Sequence, residues 1–207
     1  VRVETASATI SARAAVITLP IGVLQKGGVS FTPRLPSHIQ RGLEGLTMGA
    51  LTKIALAFDP ARFRPEIAGG FADLTDGSAM AVQMTPFGRP LVICHIGGDK
   101  ARALVAEGEA AAVQHATNRV VAALGSDLRP AISGGRLAAW WGDPFAEGSY
   151  SLAKPGGFAL RAQLSKAVGG RIWFAGEANA GPASVTAGGA ALAGIAAARE
   201  IAARVKA

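Results

Sequence analysis

The chain has 207 residues, half of them apolar, with 27 glycines, 11 prolines and a net charge of +7. Its length allows one sizeable core or two modest ones, and its Gly and Pro content is too high for a helical bundle but ordinary for a turn-rich α/β chain. No clean run of about 18 apolar residues could span a bilayer, the polar-alternating start VRVETASATI does not read as a signal peptide, and the basic residues run from Arg2 to Lys206 without the dense block expected of nucleic-acid binding. The charge reads as a solvated surface with some steering of anionic ligands. Cys94 is the only cysteine, which excludes an intrachain disulfide and a cysteine-based metal site and fits a reducing compartment, the cytoplasm; no metal site is expected.

In chain order, residues 1–5 and 8–10 alternate like a short hairpin, and Ala14 to Leu19 is a continuous apolar run ending at Pro20, suited to a strand covered on both faces. Ser37 and Gln40 form a capping-box pattern for a helix carrying Ile39, Leu43 and Leu46. From Leu51 to Phe58 the residues alternate, placing Lys53 on one face of a strand with Leu51, Ala55 and Ala57. Strands are predicted at 79–84 and 91–96 around a turn marked by Pro86, Gly88 and Pro90, followed by a helical stretch to Glu107 and a periodic helix over 109–124 that stops at Gly125. A strand at 137–141, a loop at 142–157, a helix at 158–167, the strand Ile172 to Phe174 and an alanine-rich helix to about Arg204 complete the reading. The middle of the chain, about 30 to 140, looks like a sheet-and-helix domain inserted between two pieces that belong elsewhere.

Three constellations could carry chemistry. Glu177 follows a buried strand and precedes a helix whose first turn, Ala187-Gly188-Gly189, is nearly bare of side chains. Free backbone N–H groups and the helix dipole there favour a flat anionic ligand, with Glu177 accepting from sugar hydroxyls; the alternative is a surface acid at a strand end. Trp140, Trp141, Phe145 and Tyr150, the only tyrosine, fall close together in a chain poor in aromatics. They suit either an apolar slot beside a flat cofactor or a small core capped by tryptophan. Lys53 in an apolar strand either snorkels to the surface or faces a wet cavity and serves there.

The runs AVITLPIGVL at 15–24, VSFTPRLP at 29–36, GALTKIALAFDPARF at 49–63, WWGDPFAEGSYS at 140–151 and FAGEANAGPASVTAGGAALAG at 174–194, in that order, resemble the flavin-dependent amine oxidases, a family that includes monoamine oxidases, polyamine oxidases and lysine-specific histone demethylases. The resemblance covers essentially the entire chain. It implies an α/β (mixed α+β) fold, the C-terminal part of a two-domain FAD-dependent enzyme in which a mixed-sheet substrate domain at 30–140 is inserted into a FAD-binding domain formed by 1–29 and 141–207. The implied activity is oxidation of a small-molecule amine by hydride transfer to flavin N5, with imine hydrolysis and reoxidation by O2 to hydrogen peroxide. A desaturase or porphyrinogen oxidase of related fold, or a fragment or partner subunit inactive alone, is the alternative.

By resemblance, Lys53 matches the lysine that holds a water against N5, and Tyr150 an aromatic flanking the substrate amine. Trp140 matches a tryptophan at the flavin ring, Gly176 and Glu177 the ribityl-pyrophosphate contacts, and Thr186 and Ala187 the helix start at the pyrimidine edge. Thr18, Leu19 and Pro20 match the strand end near the adenosine. Ser149 stands where monoamine oxidases carry a flavin-linked cysteine, which implies noncovalent FAD. No G-x-G-x-x-G occurs in the chain; the family's glycine-rich loop lies upstream, so the nucleotide-binding half is expected from a longer form of the same protein or from a partner chain.

Overall fold

Leu46 to Met48 decides where the chain divides. In the computed structural model, which describes residues 1–62, 69–74 and 77–205, this segment is a strand, β4, hydrogen-bonded antiparallel to β10 (Ser151–Ala153) with Met48 opposite Ser151. The chain accordingly separates into two compact units, Val1–Met48 with Pro144–Ala207, and Gly49–Asp143. The joints fall at 48/49 and 143/144, where the sequence reading placed them at 29/30 and 140/141.

The first unit begins with the hairpin β1 (Arg2–Glu4) and β2 (Thr9–Ser11). Strand β3 (Ala15–Ile17) pairs in parallel with β11 (Ile172–Phe174). Two helices follow β3, α1 (Ile21–Gln25) and α2 (Ser37–Glu44). The expected capping box does not form, because Pro36 supplies the helix entry with its own fixed backbone; its carbonyl accepts from Ile39 and Gln40, while the Gln40 amide reaches back to the Leu35 carbonyl at 2.5 Å. Gly45 ends α2, so Leu46 is a buried strand residue rather than a helical one. The core joins Ile21, Ile39, Leu46, Met48 and Phe174 to Leu164 of α5 (Arg161–Leu164). A helix was expected over 158–167; the chain instead makes a 3-10 turn at Phe158–Leu160, then α5, and reverses between Val168 and Ile172. The last helix, α6 (Ala187–Val205), buries Trp173 against Ala193 and Ala197. Small residues permit that approach, and a Cβ at Gly189 would stand 2.0 Å from the Ala183 carbonyl oxygen.

The second unit is built on β5 (Leu51–Phe58), between β8 (Leu91–Gly97) and β9 (Ile132–Ala138); β7 (Met80–Met84) and β6 (Gly70–Asp73) complete the order β6-β7-β8-β5-β9. Every pair is antiparallel, so this sheet is not mixed as the sequence reading had it. The connections at 74–79 and 85–90 are hairpin-length, and parallel neighbours need a crossover of a dozen or more residues. One face packs on α3 (Gly98–Glu107) and α4 (Glu109–Leu124), burying Ile54, Leu56, Met80, Val92, Cys94, Ile96, Leu104 and Val120. A buried ion pair ties β6 to α4: Arg119 Nε donates to Asp73 Oδ2 at 2.5 Å, and Nη1 to Ser78 Oγ at 2.9 Å. Among the described residues no helix is long and apolar enough to cross a membrane, and no cluster of His, Cys, Asp or Glu could hold a metal ion.

Candidate functional site

Parallel pairing of β3 and β11 sends two chain segments out of the same edge. With Ile17 opposite Phe174 and the Ala175 N–H donating to the Ile17 carbonyl at 2.9 Å, Thr18-Leu19-Pro20 and Ala175-Gly176-Glu177 both leave the carboxyl ends of their strands. That edge is where parallel α/β sheets bind ligands. Gly176 has φ 146°, a conformation that L side chains avoid, and it turns the chain so that Glu177 starts a 3-10 turn directly after the strand.

Glu177 is half-buried and engaged on both oxygens. Oε1 accepts from the Ser151 N–H at 2.9 Å, and Oε2 from the Ser151 hydroxyl at 2.8 Å and the Val185 N–H at 3.1 Å. Val185 has φ 62°, an outlier for a β-branched residue, and its bond to Glu177 holds it there. The next residue, Thr186, caps α6: its carbonyl accepts from Ala190 and its Oγ1 from the Gly189 N–H at 2.9 Å. Among the described residues, the N–H groups of Ala187 and Gly188 meet no acceptor, and a Cβ at Gly188 would touch nothing within 4 Å. The start of α6 is therefore bare and carries the positive end of a 19-residue helix.

Beneath this edge lies a residue that the sequence did not single out. Arg161 is 4% exposed, and its guanidinium donates to the Ser151 hydroxyl at 2.6 Å, the Ser151 carbonyl at 3.0 Å and the Ala178 carbonyl at 3.2 Å. Burial pushes its pKa down while the charge of Glu177 opposes that shift. Of the remaining first-unit residues, Ser149 and Tyr150 are half-buried just before β10, whereas Phe145 is 83% exposed.

The second unit holds Lys53 and Trp140. Lys53 is exposed on β5, on the sheet face opposite α3 and α4, with His95 beside it on β8 and Ala138 on β9. Burial first, and Lys53 second, lower the pKa of His95. Trp140 and Trp141 lie in a 3-10 turn, 50% and 37% exposed, with the Arg102 guanidinium 4.5 Å from the Trp141 ring centre. The aromatic segment is thus divided between the units, and neither tryptophan is a core residue.

The sequence pattern of one family, "Flavin containing amine oxidoreductase", matches residues 1–202. The chain belongs to that family. Among the relatives of this chain, "Lysine-specific histone demethylase 1 homolog 1" of Arabidopsis thaliana is 31% identical over 198 residues, spanning 87% of this chain and 23% of the relative. "Polyamine oxidase 5" of Oryza sativa subsp. japonica is 32% identical over 194 residues, spanning 91% of this chain and 38% of the relative. The chain therefore spans well under half the length of these relatives. In fold, the cyclohexylamine oxidase of Brevibacterium oxydans IH-35A superposes with a TM-score of 0.83 at 22% identity, over 100% of this chain and 46% of that one. The mixed helix-and-strand architecture is thus that of the FAD-dependent amine oxidase fold.

Proposed function

We propose that this chain supplies the flavin-ring side and the substrate unit of an FAD-dependent enzyme that oxidises a small-molecule amine. The observation that carries the reading is the shared carboxyl edge of β3 and β11, where Glu177 stands beside the bare first turn of α6. Those groups fit a flavin: free N–H donors and a positive helix end suit its pyrimidine edge when it holds electrons, a carboxylate suits its polyol hydroxyls, and the missing side chains at Gly176 and Gly188 leave room for a flat ring. A flavin bound there would supply the redox chemistry of a two-electron amine oxidation with dioxygen as the final acceptor and hydrogen peroxide as its product.

The chain's own residues bind, orient and handle protons. Glu177 and Gly176 hold the ribityl-pyrophosphate part, Thr186 and Ala187 the pyrimidine edge, Thr18, Leu19 and Pro20 the adenosine side, and Trp140 packs on the ring. Tyr150 forms an aromatic wall for a neutral amine, and Lys53 holds a water and its proton near the reacting edge. Ser149 offers no thiol, so FAD is held noncovalently. Relatives named as polyamine oxidases and structural neighbours titled cyclohexylamine and putrescine oxidase support an amine substrate. The glycine-rich nucleotide-binding half comes from outside these 207 residues, from the same protein or a partner chain.

Anaerobic mixing of the flavin-loaded protein with a panel of primary, secondary and polyamines tests this. The expected result is bleaching of the flavin by at least one amine and peroxide formation when air is admitted, with Lys53→Met slowing either step while flavin stays bound. Bleaching by a polyene precursor or a porphyrinogen but by no amine overturns it.

A further inference from the structure

Arg161 is a buried cation with no carboxylate among its hydrogen-bond partners, all three of which are neutral oxygens. Its countercharge, Glu177, sits one hydroxyl away. A serine hydroxyl has one proton and two lone pairs. Because Arg161 Nη1 fills a lone pair of Ser151 Oγ at 2.6 Å, the hydroxyl proton is free to point at Glu177 Oε2, 2.8 Å away. Ser151 is fully buried and its carbonyl is held by the same guanidinium, so one side chain ties down both its backbone and its hydroxyl.

An ionised carboxylate offers about four acceptor positions, two on each oxygen. Here Oε2 uses both, on Ser151 Oγ and the Val185 N–H, and Oε1 uses one, on the Ser151 N–H. A single acceptor position remains, on Oε1. All three bound donors come from the protein, and they fix the carboxylate plane before any ligand arrives.

We propose that Arg161 is a positioning residue: acting through the Ser151 hydroxyl, it holds Glu177 in one orientation so that the single open acceptor on Oε1 takes one hydroxyl group of the bound dinucleotide's sugar chains. The assignment rests on the flavin reading above and deepens it. Glu177 contacts its ligand through one hydrogen bond, not as a two-oxygen clamp. The donor is a hydroxyl of the ribityl chain or of the adenosine ribose, and the two sources separate by experiment.

The test is a set of dissociation constants measured by flavin fluorescence, or by competition for analogues, on the complete flavin-binding protein. The ligands are FAD and FAD analogues lacking one ribityl or one adenosine-ribose hydroxyl at a time. In wild type one analogue, and only one, binds about tenfold more weakly than FAD, the size of a hydrogen bond to a charged group; its identity names the source. In Arg161→Met and in Ser151→Ala, the ratio between that analogue and FAD falls toward one, and Arg161→Lys, which keeps one donor for Ser151 Oγ, restores part of it. A merely structural role would weaken all ligands together and leave the ratio unchanged. Ser151→Ala keeps the Ser151 N–H and decides the matter if Arg161→Met does not fold. A wild-type ratio that persists in the folded variants, or equal loss for two or more hydroxyls in wild type, overturns the inference and leaves the flavin reading standing. A complete protein that binds no flavin removes both.

Discussion

Replacing Glu177 by glutamine is the sharpest perturbation of this site, because three donors converge on two oxygens. A glutamine keeps one oxygen and presents an NH2 in place of the other. Placed at the Oε1 position, that NH2 faces the Ser151 N–H; placed at Oε2, it faces the Val185 N–H. Either way one backbone N–H loses its acceptor, the buried one of Ser151 or the exposed one of Val185, and Arg161 loses its countercharge. An unsatisfied donor costs about 1–3 kcal/mol, and charge-assisted bonds lie toward the strong end, so Glu177→Gln is expected to destabilise the first unit by about 2 kcal/mol. With a urea slope of about 2 kcal/mol per M, the unfolding midpoint falls by about 1 M. Glu177→Ala frees both amides and is expected to cost about the same or slightly more. Hydrogen exchange reads the geometry directly. In Glu177→Gln, protection at either Ser151 or Val185 falls roughly tenfold or more, by the 1.4 kcal/mol per decade that such an energy implies, and in Glu177→Ala it falls at both. Wild-type protection of both amides in a folded Glu177→Gln variant refutes the argument, since an amide would then serve where only a carboxylate should.

Three further outcomes follow from the second unit. Asp73→Ala removes the carboxylate that accepts from Arg119 Nε, with both side chains at most 6% exposed in wild type, and is expected to lower stability by about 1.5–3 kcal/mol, the size of a hydrogen bond to a charged group; a urea midpoint within error of wild type counts against the pair. His95 titrates below the usual histidine value of about 6.5, so acidification through that value favours the unfolded chain, which binds the proton more readily, and this contribution to stability is lost as pH falls. In an NMR titration Lys53→Met raises the His95 pKa only part of the way, because burial is the larger cause; no change would mean that the two side chains do not interact. Burial pushes the Cys94 thiol up to about 12, so a thiol reagent at pH 8 is expected to label it only on unfolding, and stoichiometric labelling of the native protein would contradict the packing of β8.

Where one rule dominates locally, sequence and structure agree. The alternation in 51–58 places Thr52, Ile54, Leu56 and Phe58 in the core and Lys53 outside, because a strand with one covered face has period 2. Helix α4 runs over the residues its apolar stripe and closing Gly125 mark out. Strand β9 starts at Ile132, five residues before the 137–141 that the pattern predicts, because Gly134 and Gly135 weaken any strand signal. Their reason is tertiary: a Cβ at Gly135 would stand 2.6 Å from Val113 of α4 and 3.1 Å from the Ala55 carbonyl. Strands β4 and β6 are short, and nothing in their three or four residues competes with the helix and turn signals around them.

The same distinction separates the legible part of the site from the rest. Strand, glycine, carboxylate and helix start lie within 172–190, and each carries its meaning in its residue type: a glycine at φ 146°, an acid at a strand end, a helix begun with small residues. What orients the acid does not. Ser151 lies 26 residues before Glu177, and Arg161 meets Ser151 across a gap of 10. No periodicity links those positions, and arginine is among the residues most often exposed. Only the antiparallel pairing of β10 with β4, which buries Ser151, and the docking of α5 against the same core bring the guanidinium beneath the hydroxyl. A strand-end carboxylate read from sequence is therefore free to turn; in the folded first unit three donors and one buried cation leave it a single direction in which to accept.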